Sequence, residues 1–168
     1  MTMSDHALPG YTFVGCLFTG LMMTSRGAKV LEYNVRFGDP ETQSVLPLLQ
    51  TDLAELMYAC TNQTLSTLPI KISEESAATV VVAAGGYPGS YAKGTKMTVT
   101  EPKDGGVIFH AGTVVKDGEL KTSGGRVIAS TATGSNLAEA VKKAYEGVKC
   151  IQFEGMQYRK DIAAKGLK

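Results

Sequence analysis

The sequence predicts an α+β fold: a β-hairpin with helices, then a small antiparallel sheet packed with a helix. Three observations predict it. Two strand-like runs flank a short glycine-containing turn near the start, several short extended runs follow one another from Thr79 onward, and helical patterns begin near Pro40, Leu53 and Leu137. Strands in runs, with helices segregated from them, are the α+β arrangement.

Tyr11 to Met23 is rich in Phe, Val, Leu and Met, and Ser25-Arg26-Gly27-Ala28-Lys29 separates it from Val30 to Phe37. Two such runs around a short turn read as a hairpin. Side chains alternate across a strand, so Glu32, Asn34 and Arg36 share one face and Leu31, Tyr33, Val35 and Phe37 the other. The extended pattern stops at Gly38. Asp39 is a good helix N-cap and Pro40 is tolerated at the first helical position, which predicts a helix opening there and breaking near Pro47. Thr51 or Asp52 then caps a helix with Leu53, Leu56, Met57 and Cys60 on one face.

Residues 61–76 lack a sustained amphipathic pattern and read as a linker with a short extended piece. Thr79 to Ala83 is a strand running into the turn Gly85-Gly86-Tyr87-Pro88-Gly89. Extended runs follow at Lys96–Thr100, Val107–Val115 and Glu119–Thr122, with Lys116-Asp117-Gly118 as a hairpin turn. Arg126–Thr131 is another strand. Asn136 with Glu139 forms a capping box for a helix whose apolar stripe is Leu137, Val141, Ala144, Tyr145 and Val148. Cys150–Phe153 closes the sheet, and the tail from Tyr158 reads as a loop and short helix. The expected organisation is residues 1–62, a linker at 63–76, and a second domain at 77–168.

With 168 residues the chain can bury a core. Its 17 basic and 16 acidic side chains leave a formal charge of +1, so no overall field favours nucleic acid or an anionic membrane. The longest apolar stretch, around Ala77–Ala84, is far below the roughly 20 residues that cross a bilayer. Met-Thr-Met-Ser-Asp-His has neither a basic nor an apolar signal region, and a cytoplasmic location is expected. Cys16, Cys60 and Cys150 form neither a disulfide framework nor a zinc pattern and are expected to be reduced, buried thiols. His110 has no second His or Cys at metal-ligand spacing and reads as a hydrogen-bonded structural histidine.

The stripe is the chemically richest segment. A carboxylate and an amide oxygen two residues apart can reach one hard cation such as Mg2+, and a guanidinium next in line suits a phosphate or carboxylate. Taken by itself, it is most simply the solvated face of an amphipathic strand.

Glu32-Tyr33-Asn34-Val35-Arg36 resembles the Glu-x-Asn-x-Arg strand of ATP-grasp ligases. Its extension Arg36-Phe37-Gly38-Asp39-Pro40-Glu41-Thr42-Gln43 is similar to the signature of the phosphoribosylamine-glycine ligase family. Further matches follow in order at Ala84–Gly89, Phe109–Thr113, Gly124–Val127 and Tyr158–Ile162. The resemblance covers nearly all of this chain but only the C-terminal part of that enzyme. It implies that residues 1–62 are the end of an ATP-grasp domain and that the remainder is the family's C-terminal α+β domain.

Carried over by position, the resemblance implies Glu32 and Asn34 as ligands of Mg2+ or Mn2+, with the metal bridging the terminal phosphates of ATP. Arg36 would stabilise charge on the transferred phosphoryl group, and Asp39 could orient glycine's ammonium, although a plain N-cap explains Asp39 as well. The implied reaction joins glycine to 5-phosphoribosylamine through glycyl phosphate, in purine biosynthesis. The glycine turns at Gly85–Gly89 and Gly124–Gly125 could approach a phosphate or could simply be turns.

The family's nucleotide-holding lysines and an upstream acidic metal ligand are expected to be missing. Ligase activity is therefore expected only with a complementing N-terminal fragment. The alternatives are a non-catalytic truncated module, or an anion-binding or interaction protein that keeps the fold.

Overall fold

A computed structural model describes residues 13–167, so the expected hairpin start at Tyr11 and the segment containing His6 lie outside the described residues. The chain divides into two compact units, one with residues up to Glu41 and Leu49–Ile72, the other with Thr42–Leu48 and residues from Ser73 onward. The α+β expectation holds.

The first unit opens with the hairpin of β1 (Phe18–Thr24) and β2 (Gly27–Asn34). Ser25 and Arg26 make its turn, which Thr24 ties by donating to Gly27 O at 2.8 Å and accepting from Arg26 N at 3.2 Å. Asp52, rather than Thr51, caps α2 (Leu53–Thr61), its Oδ1 accepting from the N–H groups of Ala54 and Glu55. Thr51 instead accepts from Lys71 N at 2.7 Å, and Leu49 bridges Ile72, so the stretch expected as a linker folds back alongside residues 49–51. Of α2, only Ala59 is buried.

In the second unit α1 (Thr42–Val45) runs into a 3-10 turn at Leu46–Leu48, where Pro47 ends α-helical bonding as expected. Strands β3 (Ser76–Ala83), β5 (Val107–His110), β8 (Arg126–Gly134) and β10 (Gln157–Tyr158) form one antiparallel sheet in the order β10-β3-β8-β5. Two small ribbons accompany it: β4 (Met97–Val99) with β9 (Ile151–Phe153), and β6 (Thr113–Lys116) with β7 (Glu119–Thr122). The run Val107–Val115 is broken at Ala111-Gly112 because Gly112 bonds back to Arg126 and accepts from Ser123 and Gly124, turning the chain from one sheet to the other. Asp117 and Gly118 both take positive φ, 55° and 74°, the geometry that a two-residue hairpin turn of this twist requires.

Helix α3 (Leu137–Val148) lies on one face of the sheet, and α1 lies on the other. Ala78, Val80 and Val82 point to the α3 side and are buried with Val127, Ile128, Ala140, Ala144 and Val148. Complete burial of a Val or Ile side chain contributes about 1.5–3 kcal/mol, so this layer holds most of the unit's stability. Of the predicted α3 stripe, Val141, Ala144 and Val148 are buried and Leu137 and Tyr145 pack partly buried against the core; Ala140 and Gly147 are buried as well. No helix follows Tyr158, because residues 162–167 form successive turns. All three cysteines are free and half-buried rather than buried.

Candidate functional site

The stripe on β2 is shaped by a bulge. Glu32 pairs with Gly20 and Val30 with Leu21, which leaves Leu31 as an extra residue on β2. Leu21 and Gly20 point to opposite sides, so Val30 is turned away from Glu32, with which strict alternation would have grouped it. Glu32 and Asn34, opposite Gly20 and Phe18, share the other face.

Gly20 shapes this face. A Cβ on Gly20 would stand 3.1 Å from Glu32 Cγ, so the missing side chain leaves the room in which the glutamate lies. Sequence reasoning passed over Gly20. A single glycine inside a strand pattern, which marks a bulge or a close approach, was the available signal.

Arg36 is not on the strand. β1 begins at Phe18, opposite Asn34, and among the described residues no strand pairs with β2 beyond that point, so β2 ends there. Arg36 sits in an exposed bend, its Nη1 donating to Phe37 O at 2.7 Å. Nor does a helix open at Pro40. Asp39 and Pro40 are joined by a cis bond inside a turn, and α1 begins at Thr42, so Asp39 is not at the helix start.

The expected packing face is uncovered. Leu31, Tyr33 and Val35 are 61–71% exposed, since a two-stranded ribbon carries no layer of its own to cover either side, and of that face Phe37 alone is half-buried. Among the described residues no three His, Cys, Asp or Glu side chains are grouped to hold a metal. On this face of β2 the oxygen donors are the Glu32 carboxylate and the Asn34 amide. Mg2+ is commonly held by one or two protein oxygens, with water and substrate phosphate completing its shell, and the Glu32–Asn34 pair over the space at Gly20 suits that chemistry.

The glycine motifs meet elsewhere. Ala84 N–H donates to Gly125 O at 2.8 Å, which places Gly85–Gly89 beside Gly124–Gly125 at one end of the four-stranded sheet. Gly125 is buried where a Cβ would collide with the ring of Tyr87, itself edge-on to Tyr91 at 6.1 Å. The N–H groups of Tyr87 and Gly89 donate within the first turn, to Ala84 O and Gly86 O, and that of Gly124 donates to Gly112 O. His110 Nδ1 lies 3.1 Å from Thr113 Oγ1, and Arg159 makes a bidentate pair with Asp161 at 2.9 and 2.6 Å.

The electrostatic shifts lie on the surface of the second unit. Glu139 is held down to about 2 by Lys143 at 2.9 Å and by the hydroxyl and N–H of Ser135. Lys96 and Lys121 together lower the Glu119 carboxyl.

Residues 77–165 match the C domain of phosphoribosylglycinamide synthetase, and residues 2–42 match its ATP-grasp (A) domain. The bifunctional purine biosynthetic protein ADE1 of Schizosaccharomyces pombe is 57% identical over 94% of this chain, which spans 20% of that protein. A phosphoribosylamine–glycine ligase of Synechocystis is 51% identical over 99% of this chain and 41% of its own length. The crystal structure of the Thermotoga maritima phosphoribosylamine–glycine ligase superposes with a TM-score of 0.77 at 40% identity, over 88% of this chain and 36% of that one. A biotin carboxylase domain from Hydrogenobacter thermophilus, described with MgADP, shares the fold at 12% identity and a TM-score of 0.63. This chain thus spans 20% and 41% of the lengths of these two curated relatives, and with both domain models matched in order it belongs to the phosphoribosylglycinamide synthetase family.

Proposed function

We propose that the chain carries the C-terminal part of an ATP-dependent ligase that joins glycine to 5-phosphoribosylamine. The ordered match to both family domains, over a strand that sets Glu32 and Asn34 side by side, is the observation that carries this reading. Glu32 and Asn34 would hold Mg2+, which supplies charge neutralisation at the terminal phosphates of ATP.

A carboxylate is too poor an electrophile to acylate an amine directly. In the proposed reaction a glycine carboxylate oxygen attacks the γ-phosphorus, the bond to ADP breaks, and glycyl phosphate forms. The amine of phosphoribosylamine then attacks the acyl carbon, phosphate leaves, and the amine loses a proton. Arg36, in its exposed bend, would meet negative charge on the transferred phosphoryl group, where a guanidinium can bind two oxygens at once. Asp39 would orient glycine's ammonium from the adjoining turn.

The test incubates isotope-labelled glycine, 5-phosphoribosylamine and ATP with this chain, by itself and with the upstream portion of a full-length relative. Labelled amide product should form with the upstream portion and disappear with Glu32→Gln. Two folded portions that never yield product, at any ratio, would overturn the reading and favour a non-catalytic binding module.

A further inference from the structure

The bulge at Leu31 sorts charge from apolar surface across the hairpin. Strict alternation along β2 would place Lys29 with Tyr33 and Val30 with Glu32, so each face would mix a charge with apolar groups. The extra residue separates them. Leu21, Met23, Val30 and Tyr33 fall on one face with Thr19 and Ala28, and none of these six is charged. Lys29, Glu32 and Asn34 fall on the other, opposite Met22, Gly20 and Phe18.

The four large side chains of the uncharged face, Leu21, Met23, Val30 and Tyr33, are 56%, 76%, 49% and 61% exposed. Apolar surface gathered on one side of a ribbon marks an interaction site, whereas single surface hydrophobes need no such account. Met and Tyr without charge is also the composition of an interface core. The opposite face is unsuited to burial, because a charge taken out of water without a partner costs far more than apolar burial returns.

The occupant follows from the domain to which the hairpin belongs. It lies within residues 2–42, which match the family's ATP-grasp domain, and the match to this chain covers 41% and 36% of two ligases. Well over half of each ligase therefore lies outside the match. A two-stranded ribbon is marginally stable by itself and gains independent stability only from further strands or a packed helix.

We propose that the face of Leu21, Met23, Val30 and Tyr33 is the docking surface for the upstream portion of the ATP-grasp domain. By clearing charge from it, the bulge leaves the Glu32–Asn34 face open to metal while the two portions are joined. The inference rests on the ligase reading for the identity of the partner. Association is read without substrate or metal, so the two can fail separately.

The full 168-residue chain is co-expressed with the tagged upstream portion of the Synechocystis ligase, and the purified complex is diluted and followed by sedimentation velocity. The dissociation constant should rise on the order of 30-fold in Leu21→Asp or Tyr33→Asp. Met22→Asp, at a neighbouring residue of similar exposure on the other face, should stay within about twofold of the unaltered chain. Glu32→Gln should associate like the unaltered chain while yielding no product. Should the Asp variants fail to fold, Val30→Thr, which suits an exposed strand, should still weaken the complex. Equal effects of Leu21→Asp and Met22→Asp, or two portions that never associate, would overturn the proposal. So would a self-dimer of the chain that Leu21→Asp disperses, since a second copy would then occupy the face.

Discussion

The hydroxyl of Ser130 occupies the space into which a side chain on Gly147 would project. Ser130 lies on β8 facing α3, completely buried and with no hydrogen-bond partner for its Oγ, and Gly147 is the buried helix residue set against it. Gly147→Ala gains helix propensity of roughly 1 kcal/mol but forces overlap that typically costs about 1–3 kcal/mol, so a net loss is expected in urea denaturation. Ser130→Ala removes the obstructing oxygen, leaving a Cβ 3.4 Å from the new methyl group. The double variant should therefore be more stable than Gly147→Ala. If the two changes simply add, the contact is not the cause.

Glu139 links the start of α3 to pH. Lys143 and Ser135 hold its carboxyl at about 2, below the ordinary 4.5, so the unfolded chain takes up this proton first as pH falls. The contribution to stability is complete above about pH 4.5 and is lost as pH falls toward 2. Thermal melts across that window should show a smaller acid loss for Glu139→Gln than for the unaltered chain. Because this group is exposed, the difference should shrink further in high salt.

Exchange protection should separate the hairpin from the sheet. The large apolar side chains of β1 and β2 are mostly exposed, whereas Val80, Val82 and Val127 are completely buried. Amides paired between β1 and β2 should exchange on the order of 100-fold faster than those between β3 and β8, since local opening is easiest where little apolar surface is covered. Equal protection would mean that the hairpin is stabilised by something other than its own contacts.

Gly20 should matter to metal affinity without touching metal. A methyl group there would stand 3.1 Å from Glu32 Cγ and shift the carboxylate by a few tenths of an ångström. Displaced supporting groups typically cost about 10–100-fold in metal affinity. Mn2+ binding, followed by electron paramagnetic resonance on the chain complemented with an upstream portion, should weaken by about tenfold in Gly20→Ala and be lost in Glu32→Gln. Unchanged binding in both variants would remove Glu32 from the metal site.

Much of the second unit was legible because its cues are local. Asn136 and Glu139 mark the start of α3, Asp117-Gly118 selects a hairpin turn, and five apolar residues at helical spacing name the face that packs on the core. The candidate site was legible in residue type and misjudged in geometry. Glu32, Asn34 and Arg36 alternate perfectly on paper, yet Arg36 lies beyond Asn34, the last residue of β2 paired with β1.

The sequence by itself determined the α+β class, the family and the identity of the polar groups, because periodicity, capping and turn chemistry act over a few residues. Tertiary structure decided what depends on distant parts of the chain. Pairing with Phe18 ends β2 at Asn34, the bulge opposite Gly20 and Leu21 turns Val30 away from Glu32, and the Thr79 hydroxyl meets those of Ser44 and Thr131. Each is set by a neighbour brought close only by folding, across as many as 52 residues between Thr79 and Thr131. Local sequence patterns carry no record of such a neighbour.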